Sequence, residues 1–162
     1  MPKELELRKY NHIQNIYKNK FPKELILEKE DYLNLVNSNG FALAIVPKEL
    51  LDKEICLAAV SNNGDALGVV PKELHDREMY LAAVSNDGYA LDLVPKELRD
   101  REICLAAVTN DGNALEFVPE KLRDREMYLA AVSNNGDALE FVPIELRDEI
   151  RRERSMMKAA NI

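Results

Sequence analysis

The sequence predicts an all-α fold, a right-handed α-solenoid of about five 24-residue repeats between two helical caps. Three observations carry that expectation. Pro47, Pro71, Pro95, Pro119 and Pro143 stand 24 residues apart, as do Gly40, Gly64, Gly88, Gly112 and Gly136. Residues 46–69, 70–93, 94–117 and 118–141 are four full copies in which 13 of 24 columns are identical, V-P-x-x-L-x-D-x-E-x-x-L-A-A-V-x-N-x-G-x-A-L-x-x. The doubled Ala of every copy, with no period-2 alternation around it, excludes a strand in the longest apolar run. A fixed period of this length marks units that bury their apolar faces only against their neighbours.

The array covers residues 21–146. A fifth copy, 21–45, opens Phe21-Pro22-Lys23-Glu24-Leu25 and carries one extra residue before its helix. A partial sixth, 142–146, begins Val142-Pro143-Ile144-Glu145-Leu146 and then departs from the pattern. Residues 1–20 place Leu7, Tyr10, Ile13 and Tyr17 at helical spacing and are expected to cap one end. Residues 147–162 are expected to cap the other, with the stretch from Met156 fraying. Counted by 24, the columns of Ile, Leu, Ala and Val become Arg151, Glu153, Arg154 and Met156, giving the polar outer face a terminal repeat needs.

Within a copy each element has a local reason. Asp100 before Arg101-Glu102-Ile103-Cys104-Leu105-Ala106-Ala107-Val108 is a good N-cap, and Glu102 suits the first turn of a helix of about ten residues. Asn110-Asp111-Gly112 ends that helix, with Gly112 expected in the left-handed conformation. Ala114-Leu115-Glu116-Phe117-Val118 reads as a shorter helical turn, stopped by Pro119 because the residue before proline is pushed out of the α region. Pro119-Glu120-Lys121-Leu122 restarts as a brief turn with Pro at its first position. The Leu-Ala-Ala-Val stripe is expected to pack between repeats, and Tyr80 and Tyr128 to be partly buried there.

Chemistry-bearing patterns are scarce. His12 and His75 belong to no nucleophile or metal motif, and His75 shares a column with Leu51, Arg99 and Arg123, which reads as a tolerant surface position. There is no Gly-rich phosphate loop, no H-E-x-x-H and no C-x-x-C. Asn-Asp-Gly at 110–112 fails as a calcium loop because Ala107, Thr109 and Val118 occupy the ligand positions. No enzyme, no cofactor and no metal site are expected. Cys56 and Cys104 lie two repeats apart, too far for one disulfide, and read as small buried hydrophobes. Asn62, Asn86, Asn110 and Asn134 are expected to serve backbone groups freed where the helices end.

Charge bears on partners. The 162 residues carry 22 Lys and Arg against 29 Asp and Glu, a net charge of −7. Residues 1–20 carry a net +3, residues 21–141 a net −11 and residues 142–162 a net +1. An acidic body repels phosphate backbones, so nucleic acid is not an expected partner. No run reaches the roughly 18 apolar residues of a spanning helix, and the opening Met-Pro-Lys-Glu-Leu has no apolar core of a cleaved signal. The repeated Asp-Arg-Glu triplets read as a solvated face with local ion pairs. Arg147-Asp148-Glu149-Ile150-Arg151-Arg152-Glu153-Arg154 reads as a solvated helix of mixed sign.

Where the copies differ, a binding face is expected. The position after Gly is Asp65, Tyr89, Asn113 and Asp137, and three residues later stand Gly68, Asp92, Glu116 and Glu140. Asp65, Tyr89, Asp92, Asn113, Glu116, Asp137 and Glu140 are therefore the candidate contact residues, a row of acidic and amide groups along one edge. The expected partner is another protein with a basic patch, met by a monomer. A structural, self-assembling array is the alternative.

The units Asp-Arg-Glu-Met-Tyr-Leu-Ala-Ala-Val at 124–132 and Leu-Ala-Ala-Val-Ser-Asn-Asn-Gly-Asp-Ala-Leu-Glu-Phe-Val-Pro at 129–143 resemble the tandem repeats of the domain of unknown function 4116 family. The resemblance covers about residues 21–146 and implies a short-helix solenoid. It implies no activity and no functional residue. Members occur in protists, large viruses and host-associated bacteria, some within translocated effectors. This implies a host-directed effector module as a further alternative and the interior of a host cell as its location, whereas free Cys56 and Cys104 fit the reducing cytoplasm. Variant leucine-rich repeats are a weaker likeness, because their Asn-Pro and Thr-Pro spacing is missing.

Overall fold

A computed structural model describes residues 27–160. The expected cap at 1–20, the opening of the first copy and His12 lie outside them. The chain forms two compact units, Met1–Met79 and Tyr80–Ile162, and each is described by itself. Among the described residues every regular element is helical. The fold class is the all-α repeat array that the period predicts.

In the first unit, α1 (Lys29–Ser38) and α2 (Lys53–Asn62) are ten-residue helices that pack together. The 3-10 helix Gly40–Ile45 lies against both, and Gly64–Gly68 follows α2. Lys48–Leu50 and Lys72–Leu74 are the short turns after each proline. The prolines stand just before these turns as N-caps, one position earlier than the sequence suggests. The core is Val36, Leu43, Ile55, Cys56, Val60 and Leu67, closed by Ala42, Ala59 and Ala66.

The second unit repeats the design. After α3 (Arg77–Asn86), whose first turn belongs to the first unit, come α4 (Arg101–Asn110), α5 (Arg125–Asn134) and α6 (Arg147–Ala160). The 3-10 helices Gly88–Leu93, Gly112–Phe117 and Gly136–Phe141 pack in a row beside them. Ile103, Cys104, Ala107 and Val108 of α4 are buried, and so are Met127, Tyr128, Ala131 and Val132 of α5. Such continuous burial of small and branched side chains supplies most of the stability of these short helices.

The caps follow the sequence. Asp52, Asp76, Asp100 and Asp124 each accept a hydrogen bond from the backbone N–H three residues on, at 2.9–3.0 Å. Asn63, Asp87, Asp111 and Asn135 cap the 3-10 helices in the same manner, accepting from the N–H two residues on. Both Asn and Asp present the one Oδ1 this bond needs, which is why the two interchange in that column.

The glycine after each helix differs from expectation. None of the described glycines has positive φ. The helix is ended instead by the extended Asn or Asp before it. Glycine is needed for closeness: a Cβ on Gly88 would stand 2.5 Å from the carbonyl oxygen of Ala107, and one on Gly112 would fall on that of Ala131. The same holds for Gly40 against Ala59. The backbone of one repeat thus rests directly on the helix of the next.

The C-terminal helix is also corrected. Gly112 meets Ala131, 19 residues on, but Gly136 meets Arg154, 18 residues on. One residue is missing from the period, so Ile150, at 1% exposure, takes the buried place of Met127 rather than Arg151. The helix runs through Met156 and Met157 to Ala160 without fraying at Met156.

Candidate functional site

The edge formed by the 3-10 helices is the surface the sequence singles out. In a 3-10 helix residues three apart eclipse. Tyr89 and Asp92, Asn113 and Glu116, and Asp137 and Glu140 therefore lie one above the other on three segments that pack side by side. Asp92, Glu116, Asp137 and Glu140 are exposed, and Tyr89 is 44% exposed. Asp65 is exposed at the matching position of the first unit, on Gly64–Gly68.

Three members of the row already have protein partners, among them Asp92, whose Oδ1 lies 4.0 Å from the Arg99 guanidinium. Asn113 is half-buried and its Oδ1 accepts from Asn135 Nδ2 at 3.1 Å. The Tyr89 ring meets Phe117 edge-to-face, centroids 5.8 Å apart at 71°, an arrangement favoured by the ring quadrupoles. Tyr89 is an anchored aromatic beside the carboxylates, with its orientation set by the neighbouring repeat.

Beneath the row lies an arginine column that the sequence reading treats as tolerant surface. The structure overturns that. Arg99 is 7% exposed, and its guanidinium donates to the carbonyls of Val94 at 2.9 Å, Phe117 at 2.7 Å and Asp92 at 3.2 Å. Arg123 holds Val118 and Glu116 at 2.9 and 3.1 Å, and Arg147 holds Val142 and Glu140 at 2.9 and 2.8 Å. His75 reaches Val70 with Nε2 at 3.1 Å. These side chains serve carbonyls left open where a 3-10 helix meets Val-Pro, since proline has no N–H to continue the pattern. Arg147 stays the first residue of its helix, but its side chain belongs to this column. The column fixes the backbone under Asp92, Glu116 and Glu140.

The helix face carries the other charges. Lys29 bridges Asp52 and Glu54 at 2.7 and 2.6 Å, and Lys53 bridges Asp76 and Glu78 at 2.7 Å each. Arg101 bridges Asp124 and Glu126, and Arg125 bridges Glu149 and Glu153 at 2.7 and 2.5 Å. Every one of these pairs joins neighbouring helices, so the expectation of local pairing is corrected. The signal was available: Asp-Arg-Glu recurs at the repeat period, which brings equal positions of successive helices together. The Lys29 ammonium beside Asp52 holds that carboxyl below its ordinary value, and Lys53 does the same for Asp76.

The asparagine column is a third inter-repeat device. Asn62 accepts from Gly40 N–H at 2.7 Å and donates to Asn37 O at 2.8 Å. Asn110 accepts from Gly88 N–H at 2.8 Å and donates to Ser85 O at 2.8 Å. The freed backbone groups they serve belong to the preceding repeat.

The model for Domain of unknown function (DUF4116) matches residues 28–75, 52–99, 76–123 and 100–147. The chain belongs to the DUF4116 family. Three of the four matches start at a capping aspartate, Asp52, Asp76 or Asp100, and all end in the column of His75, Arg99, Arg123 and Arg147. Each match spans two successive helices of this chain. No curated protein and no solved structure matches the chain. Among the described residues no helix is long and apolar enough to cross a membrane.

Proposed function

We propose that this DUF4116 chain is a non-catalytic binding array whose 3-10 edge engages a protein with a basic patch. The observation that carries the reading is the placement of Asp92, Glu116, Asp137 and Glu140, exposed and in register on three successive packed segments, with Tyr89 beside them. The Arg99, Arg123 and Arg147 clamps hold the backbone under that row, so its carboxylates are displayed without a large ordering cost on binding. Like-charged nucleic acid is disfavoured along the same edge.

The test replaces Asp65, Asp92, Glu116 and Glu140 together by Lys. Immobilised wild-type protein is expected to retain partners from lysate at low salt and release them at high salt, because exposed charge pairs are screened. The variant is expected to retain none of them. Retention of the same proteins by both would reject the acidic edge as the binding face.

A further inference from the structure

The main helix is apolar nearly all round, and one part of that girdle is left uncovered. In the second unit Leu105 and Ala106 of α4, and Leu129 and Ala130 of α5, are only half-buried. Beside α5 this strip opens into a groove of about 740 Å³, floored by Leu129 and Ala130 and walled by Met157 of α6. With one residue missing from the period, Met157 stands where the next asparagine of the ladder would fall.

The two ends of the groove differ in chemistry. Ser133 and Asn134 make one end neutral, whereas Arg125, Glu126 and Glu153 line the other. There each cation is shared by two carboxylates, Arg101 by Asp124 and Glu126, and Arg125 by Glu149 and Glu153. Each rung of this ladder keeps a surplus negative charge. The Glu126 side chain is 65% exposed, with room to accept a further donor.

We propose that this groove docks an amphipathic helix of a partner protein, one that sets a row of Lys or Arg beside an apolar stripe. The apolar stripe answers Leu129, Ala130 and the adaptable Met157. The cations answer the surplus carboxylate of each rung. A helix fits better than an extended segment, because a floor of Leu and Ala side chains offers no partners for an open backbone. Packed helices lie about 8–10 Å apart, and a helix rising 1.5 Å per residue crosses that distance in about five to seven residues. The docked helix therefore carries one cation and one large apolar residue per heptad. This site uses α-helical faces and is separate from the 3-10 edge.

The probe is a labelled model helix of about three heptads with Leu stripes and one Lys per heptad, and its counterpart with Glu for Lys. Anisotropy titration is expected to show saturable binding of the Lys helix and at least about tenfold weaker binding of the Glu helix. Met157→Lys, at a residue 51% exposed and so harmless to folding, and Ala130→Lys are each expected to weaken it about tenfold. Circular dichroism checks that both variants keep their helices. The Asp92, Glu116 and Glu140 to Lys variant is expected to bind the Lys helix like wild type. No binding to wild type, or equal binding to Met157→Lys, overturns the proposal. Loss only in the edge variant also overturns it and moves the site to the acidic edge.

Discussion

Gly112 N–H donates to Asn134 Oδ1 at 2.9 Å, while Asn134 Nδ2 donates to the carbonyls of Thr109 and Asn110, each at 2.9 Å. One side chain thus joins the end of α4 and the start of its 3-10 helix to the end of α5. Asn134→Ala removes all three bonds and leaves the buried Gly112 N–H without this acceptor. The expected destabilisation is about 1–3 kcal/mol. Asn134→Asp keeps the acceptor, loses both donations and sets a carboxylate against two carbonyls, so it is expected to be no better. Urea unfolding at constant slope measures both, and a wild-type midpoint for Asn134→Ala would rule the staple out.

The glycine column separates close backbone contact from turn conformation. Gly112→Ala drives a methyl onto the Ala131 carbonyl, which is fixed in α5, and is expected to cost about 1–3 kcal/mol as overpacking. In Gly136→Ala the methyl meets only the end of Arg154, at 2.9 Å from a terminal guanidinium nitrogen, and that flexible side chain can move aside. Its expected loss is well under half as large. Equal melting points for the two variants would contradict the contact and point back to a conformational role.

These glycines show what the sequence made legible and what it hid. The period, the Asp N-caps and the ten-residue helices could be read because they rest on neighbours in the chain. Gly112 looks like a left-handed cap from its neighbours alone, whereas its true constraint comes from Ala131, 19 residues away. Arg99 hid behind composition: a charged residue in a column shared with Leu51 and His75 looks like solvated surface, and only the Val-Pro carbonyls explain its burial. The exposure of Asp65, Asp92, Glu116, Asp137 and Glu140 was legible because most columns that vary between otherwise identical copies face solvent, a pattern that Arg99 and the half-buried Asn113 break. The half-buried Leu-Ala strip was not, because periodicity shows that a helix is apolar all round and not which side a neighbour leaves open.

Two arginines of opposite expected effect test the carbonyl clamp. Arg99 gives hydrogen bonds to three carbonyls at 7% exposure, so Arg99→Leu strands acceptors and is expected to cost about 2–4 kcal/mol. Lysine is not expected to rescue it, because a single ammonium cannot reproduce the fork. Arg154 keeps a buried Nε that has no partner among the described residues. Arg154→Leu removes that unpaired donor and is expected to be neutral or mildly stabilising. Thermal melts of both variants decide the point, and a stabilising Arg99→Leu would refute the clamp.

The inter-helix ladder makes stability depend on pH at both extremes. Lys29 holds Asp52 below the ordinary 3.8, Lys53 does so for Asp76, and for Asp124 the Met127 N–H leads, with Arg101 adding to it. These carboxyl groups are depressed in the fold, so their contribution is present above about 3.8 and is lost as pH falls through the lower folded values. Lys29 and Lys53 are raised above 10.5 by the same partners, so theirs is complete below 10.5 and is lost as pH rises further. Changing Asp52, Asp76 and Asp124 together to Asn keeps competent N-caps and is expected to make the acid limb shallower. An unchanged acid limb in urea midpoints between about pH 2 and 6 would show that the pairs are too screened to matter.

Cys56 and Cys104 report on burial directly. Both are free and 0% exposed, and burial pushes each thiol up to about 11. At pH 8 a thiol titrating near 11 is thiolate about once in a thousand molecules, against about one in four for an ordinary 8.5. Only the thiolate is nucleophilic, and the fold adds steric exclusion. Native alkylation at pH 8 is therefore expected to run at least about a hundredfold slower than in urea-unfolded protein. The two sites need not open together, since Cys56 lies in the first unit and Cys104 in the second. Mass spectrometry of partly labelled protein resolves them, and free-thiol rates at Cys104 in native buffer would contradict the packing of α4.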